Sequence, residues 1–178
     1  MPARLLYEKG IEEFVKASKL LKQKKVNGTF YICGDPNSVN PSKIKLDIIE
    51  KWVDEGLIIY RGYFSDIKKM YKDIDIVCLP SWREGFPKVL MEAASLGLPV
   101  ITTDVPGCRD AIIKNVTGIL VPVKNTQRLT DAIIYLLKNP KINKQLGILG
   151  RQRAERLFSI DKIIENHFKI YNSLLGKN

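Results

Sequence analysis

The feature that most constrains this chain is an alternation of two periodicities. Short runs rich in apolar and β-branched residues lie at 29–33, 57–60, 75–79, 99–102 and 118–121. Between them, apolar residues recur every three or four positions: Ile11, Phe14, Val15, Ser18 and Leu21; then Ile44, Ile48, Ile49, Trp52 and Val53; then Leu129, Ile133, Leu136 and Leu137, a stripe closed by Pro140. A strand buried on both faces reads as a continuous apolar run, and a helix that covers it reads as a stripe. The alternation therefore predicts an α/β domain with a doubly wound parallel sheet, and such sheets bind ligands beyond the carboxyl ends of their strands.

At 178 residues the chain suits one such domain. The first helix is expected near Gly10, which leaves only residues 1–7 for a first strand and its exit loop. A last helix carries Ile160, Ile164, His167, Phe168, Tyr171, Leu174 and Leu175 at helical spacing, either to cover this core or to dock elsewhere. The longest charge-free run, residues 93–103, is interrupted by Gly97 and Pro99 and is too short to span a bilayer. No apolar signal-like segment opens the chain. Cys33 and Cys78 lie in apolar runs, Cys108 in an expected turn, and an odd count without CxxC spacing points to a reducing, cytoplasmic setting.

The 29 basic and 19 acidic residues leave a net charge of +10, concentrated after residue 100, where thirteen basic residues face six acidic ones. A field of that sign draws phosphates of any kind. No cluster of basic residues with interleaved aromatics marks a nucleic-acid surface, so no nucleic-acid partner is expected.

Chemistry concentrates in residues 80–97. Pro87 suits the first helical position and Gly97 the residue past the last, which predicts a helix over 87–96. Its start faces the ligand edge of the sheet, where the free N–H groups of Lys88, Val89 and Leu90 and the positive end of the helix dipole suit a phosphate. Glu92 lies within the apolar run Val89-Leu-Met-Glu-Ala-Ala, and a buried carboxylate needs donors, which sugar hydroxyls would supply. Glu84, in the loop just before, can reach a ligand whose phosphate rests on the helix start. The same residues allow a plainer reading, with Glu84 solvated and Glu92 paired to a basic neighbour.

Glu84-Gly-Phe-Pro-Lys-Val-Leu-Met-Glu92 resembles the E-x7-E motif of the group 1 (family 4) glycosyltransferases, flanked here by Leu79-Pro-Ser81 and Gly97-Leu-Pro-Val-Ile-Thr-Thr-Asp104. Arg4-Leu-Leu-Tyr-Glu-Lys9-Gly10 is similar to that family's R-x4-K-G segment, and Gly62-Tyr-Phe-Ser-Asp66 to its base-contacting loop. The segments at 34–41 and 103–109 are similar to the branch that builds capsular polysaccharide and O-antigen. The resemblance implies the Rossmann-like carboxyl-terminal half of a GT-B fold, covering residues 1–178 as one nucleotide-sugar-binding domain. The amino-terminal domain of that architecture, which supplies the acceptor site and a histidine, has no counterpart in these residues, and His167 lies in the wrong place for it.

By the same resemblance, Arg4 and Lys9 hold the donor diphosphate, Glu84 the donor sugar and Glu92 the ribose, with further donor contacts from Phe64, Gly85, Phe86, Pro87, Lys88, Val89 and Leu90. A lysine beside a helix N-terminus opposes the dipole, which makes sense if an anion lies between them. The alternative is a Lys9 neutralised by Glu8, Glu12 and Glu13. The implied reaction moves a hexosyl or N-acetylhexosaminyl group, with retention, from a nucleoside-diphosphate sugar (UDP is the expected carrier) to a cell-surface polysaccharide or lipid-linked glycan. No metal and no cofactor are expected. A lipid-linked acceptor would allow peripheral contact with the inner face of the membrane. This half alone should bind weakly and catalyse little. Two other classes remain: a glycoside hydrolase using the carboxylate pair, and a nucleotide- or polyanion-binding module without catalysis.

Overall fold

A computed structural model describes residues 1–176. Among these residues strands and α-helices alternate up to α6, after which two further helices follow: α1 (Ile11–Gln23), β1 (Tyr31–Ile32), α2 (Leu46–Asp54), β2 (Ile59–Tyr60), α3 (Ile67–Met70), β3 (Val77–Leu79), α4 (Lys88–Ser95), β4 (Val100–Thr103), α5 (Pro106–Ala111), β5 (Ile119–Val121), α6 (Thr126–Lys138), α7 (Pro140–Leu157) and α8 (Ile160–Leu174). Every strand pairing is parallel, in the orders β1-β2 and β3-β4-β5. The expected first strand is reduced to one parallel bridge between Pro2 and Cys33, with Ala3 N–H donating to the Cys33 carbonyl at 2.9 Å.

Successive residues of one strand enter opposite cores, which is what a sheet buried on both faces requires. Cys78, Ile101 and Val121 join Phe14, Leu21, Leu129 and Leu136 of α1 and α6 on one face. Val77, Leu79 and Val100 join Leu90, Ala93, Cys108 and Ala111 of α4 and α5 on the other. The doubly wound reading holds. Cys108, expected in a turn, is instead a fully buried residue of α5.

No element was expected between Pro140 and Ile160, yet Pro140 opens α7, the longest helix described. The helix buries Leu146, Gly147, Gly150 and Ala154, a face of small residues that an apolar stripe search passes over. It packs on α4 so closely that a Cβ at Gly147 would lie 2.0 Å from the Gly97 carbonyl oxygen. The following α8 contributes no buried residue, so among the described residues it covers no core. No described helix is long and apolar enough to cross a membrane.

Candidate functional site: the carboxyl edge between β3 and α4

The site is built where β3 ends. Thr102 Oγ1 donates to the Leu79 carbonyl at 2.7 Å, and Thr103 Oγ1 donates to that of Ser81, so β4 pins the chain as it leaves β3. The opening segment meets this exit backbone to backbone. Gly10 takes φ 73°, and a Cβ there would lie 2.1 Å from the Pro80 oxygen, so only glycine fits. Two residues after Pro80 and two before Gly10, the Trp82 N–H donates to the Glu8 carbonyl at 2.8 Å.

These backbone contacts deliver Lys9 to Glu84. Lys9 Nζ lies 2.6 Å from Glu84 Oε1, and Ser81 Oγ donates to the same oxygen at 2.6 Å. The two side chains are only 13% and 11% exposed. Oε2 of Glu84 takes no hydrogen bond among the described residues. Behind the loop, a Cβ on Gly107 would fall 1.9 Å from the Gly85 oxygen and 2.6 Å from the Glu84 oxygen, so α5 supports the Glu84–Gly85 peptide directly.

The plainer reading of Lys9 and Glu84 is overturned by where the other carboxylates go. Glu8 accepts from Ser42 Oγ, which is the main reason its carboxyl is held below the ordinary value. Glu12 pairs with Lys16 at 3.4 Å, and Glu13 accepts from Trp82 Nε1 at 3.1 Å.

At the start of α4, Pro87 is the residue before the helix, with ψ 114°, and the first helical residue is Lys88. The Leu90 N–H donates to the Pro87 carbonyl at 3.1 Å and is not free, because the first turn closes on the proline oxygen. The open end therefore offers the N–H groups of Lys88 and Val89. One turn along, Glu92 is half-buried and finds a tyrosine rather than a basic neighbour: Tyr71 donates to Glu92 Oε2 at 3.2 Å and also lies 3.3 Å from the Val89 carbonyl. Burial, with the adjacent Glu92 carboxylate, raises the Tyr71 phenol well above its ordinary value.

The remaining candidates stand apart from the ion pair. Arg4 is exposed and forms no ion pair among the described residues. Phe64 is half-buried 5.0 Å below the Arg61 guanidinium, which also covers Tyr31 at 5.4 Å. A Cβ at Gly85 would meet open space on the side away from α5, and the exposed Phe86 stands edge-on to Phe158 with centroids 5.5 Å apart. His167 is exposed on α8, its Nδ1 2.8 Å from the Ile163 carbonyl. The cavity of about 410 Å³ bounded by Phe14, Phe30, Ile76 and Leu137 lies at the opposite, amino edge of the sheet. The candidate site is a ledge at the carboxyl edge.

Residues 1–153 match the family described as glycosyl transferases group 1. The chain belongs to this family. It is 31% identical over 175 residues to the N,N'-diacetylbacillosaminyl-diphospho-undecaprenol alpha-1,3-N-acetylgalactosaminyltransferase of Campylobacter jejuni, a match covering 98% of this chain and 44% of that protein. It is 29% identical to the capsular polysaccharide biosynthesis glycosyltransferase CapM of Staphylococcus aureus, over 98% of this chain and 46% of CapM. Among solved structures, sucrose-phosphate synthase from Thermosynechococcus elongatus superposes with a TM-score of 0.85 at 28% identity, covering 98% of this chain and 44% of that one. The chain thus spans less than half the length of each of these three relatives.

Three residues that shape the ledge of this group 1 family member were not singled out from the sequence. Ser81 closes the segment that flanks the motif and carries a detectable signal, a hydroxyl three residues before Glu84. Tyr71 and Gly107 carry none, because their contacts join segments 21 and more than 20 residues apart.

Proposed function

We propose that this chain is the donor-binding part of a retaining glycosyltransferase that moves a hexosyl or N-acetylhexosaminyl group from a nucleoside-diphosphate sugar to a cell-surface polysaccharide or lipid-linked glycan. The observation that carries the reading is the Lys9–Glu84–Ser81 cluster at the carboxyl edge of the sheet, one helix start away from two open backbone N–H groups. A lysine held this way stands fixed beside an anion site. As the nucleoside diphosphate departs it gathers negative charge, and fixed positive groups stabilise that change more than they stabilise the bound donor.

In this reading Lys9 and Arg4 neutralise the diphosphate and no metal ion is required. The N–H groups of Lys88 and Val89 face a phosphate oxygen. The unused Oε2 of Glu84 accepts from a donor-sugar hydroxyl, and Glu92, steadied by Tyr71, accepts from the ribose. The names of the relatives support the acceptor class: one acts on a diphospho-undecaprenol-linked sugar and another serves capsular polysaccharide. Action at the inner face of the membrane accords with such an acceptor.

The test is a thermal-shift series with UDP, GDP, ADP and inorganic pyrophosphate. A ligand that binds only the folded chain adds about 2.7 kcal/mol at a hundred times its dissociation constant. UDP is expected to give the largest shift, and Lys9→Ala and Glu92→Ala each to abolish it. A shift unchanged in both variants defeats the assigned site. A response that ignores the nucleoside and collapses with salt favours a polyanion-binding module instead, while release of nitrophenol from a nitrophenyl glycoside without nucleotide favours a hydrolase.

A further inference from the structure

Trp82 lies between Ser81 and the Glu84 loop and is gripped from three directions. Its backbone N–H donates to the Glu8 carbonyl at 2.8 Å. Its indole N–H donates to Glu13 Oε1 at 3.1 Å. The Lys124 ammonium stands 3.9 Å from its ring centroid. These holders come from three separate parts of the chain: the turn before α1, the first turn of α1, and the loop between β5 and α6.

Two of the three holders are costly. Glu13 is a carboxylate only 8% exposed, and its Oε2 is buried with no hydrogen-bond partner. Buried carboxylate oxygens normally find partners. Lys124 adopts φ 57°, a left-handed conformation that residues with a Cβ seldom take. An aromatic ring that only fills space needs neither. An indole whose angle matters needs both, because the N–H fixes rotation about the ring normal and the cation fixes the face.

We propose that Trp82, set by Glu13 and Lys124, is a positioning residue for the Lys9–Glu84 pair. Its neighbours on the chain explain how. Its backbone N–H holds the Glu8 carbonyl, which precedes Lys9, its indole holds Glu13, which follows Lys9 on α1, and Glu84 lies two residues further along its own loop, so Trp82 ties the segment that carries the ammonium to the loop that carries the carboxylate. Its effect on ligand affinity rests on the donor-binding reading above, whereas its effect on the loop does not.

The experiment uses the full 178-residue chain. UDP affinity by calorimetry is compared with the ¹H–¹⁵N amide positions of residues 81–85 in Trp82→Phe, Glu13→Leu, Glu13→Gln and Lys124→Met. Loss of one hydrogen bond to a charged group predicts UDP binding weaker by roughly tenfold in Trp82→Phe and Glu13→Leu, with displaced amides at 81–85. Glu13→Gln keeps an acceptor oxygen and is expected within about threefold of the parent chain. Parent-like amide positions and affinity in folded Trp82→Phe and Glu13→Leu overturn the proposal, as does a Glu13→Gln variant as impaired as Glu13→Leu. Should the two disruptive variants fail to fold, the exposed Lys124→Met decides: displaced amides support the proposal, unmoved ones overturn it. A parent chain that binds no nucleoside diphosphate removes the donor reading alone, since the amide positions still test the positioning.

Discussion

Lys9 Nζ lies 2.6 Å from Glu84 Oε1, across 75 residues of chain and largely shielded from water. Removing one charge of such a pair leaves the other buried without its partner. Lys9→Met is therefore expected to destabilise the chain by about 3 kcal/mol, roughly 6 to 12 °C in melting temperature at this size. Lys9→Met combined with Glu84→Gln should recover a large part of that loss, and chemical denaturation of the four proteins of the cycle measures it. Strict additivity of the two single changes would falsify an energetic coupling between them.

Gly107 supports the Glu84–Gly85 peptide from below. The Cβ of Gly107→Ala would overlap the Gly85 oxygen at 1.9 Å, so α5 or the loop must shift. We expect nucleoside-diphosphate binding to fall by at least about tenfold while far-UV circular dichroism stays unchanged. An alanine variant with parent-like affinity removes this support from the site.

Tyr71 has a pH signature. Its phenol is raised above the ordinary value of 10.0 by burial and then by the Glu92 carboxylate. For an acid whose folded value lies above the unfolded one, the protonated form is stabilised by folding, so this contribution is complete below pH 10.0 and is lost as the pH rises through the folded value. Burial also raises the Tyr60 phenol, so ultraviolet titration near 295 nm should show more than one late-ionising tyrosine, and Tyr71→Phe should delete the latest step. The same variant should weaken binding of nucleosides that carry a 2′-hydroxyl more than binding of inorganic pyrophosphate.

Glu8 titrates in the opposite sense. The hydroxyl of Ser42 holds its carboxyl below the ordinary 4.5. Its contribution to stability is therefore present above that pH and lost as the pH falls through the folded value. In Ser42→Ala the Glu8 carboxyl should titrate closer to 4.5 by carbon-detected NMR. A titration identical in both proteins contradicts the hydrogen bond.

How much could be read from the chain differs from element to element. The five apolar runs each became a strand, every one trimmed by one or two residues at its start, while β4 runs one residue further, to Thr103. The stripes of α1, α2 and α6 each mark a face that does pack inward, with Val53 the exposed edge of its stripe. By contrast α7 was invisible, since a face of Gly147, Gly150 and Ala154 earns its stability from close backbone approach rather than from apolar area. Pro87 was one position out, because Lys88 is the first residue with helical geometry.

What the sequence determined by itself is local: which stretches extend, which coil, which face of each helix is apolar, and that two carboxylates flank the start of α4. These follow from side-chain alternation and turn chemistry within a few residues. Partner choice was decided only by the tertiary structure. Lys9 has Glu8, Glu12 and Glu13 nearby in the chain, yet it reaches Glu84 because Gly10 lets the opening segment lie against the Pro80 carbonyl. Glu92 meets Tyr71 because α3 hands the chain back beneath α4. Such pairings depend on how separate strands stack at one sheet edge, and no periodicity along the chain records that distance.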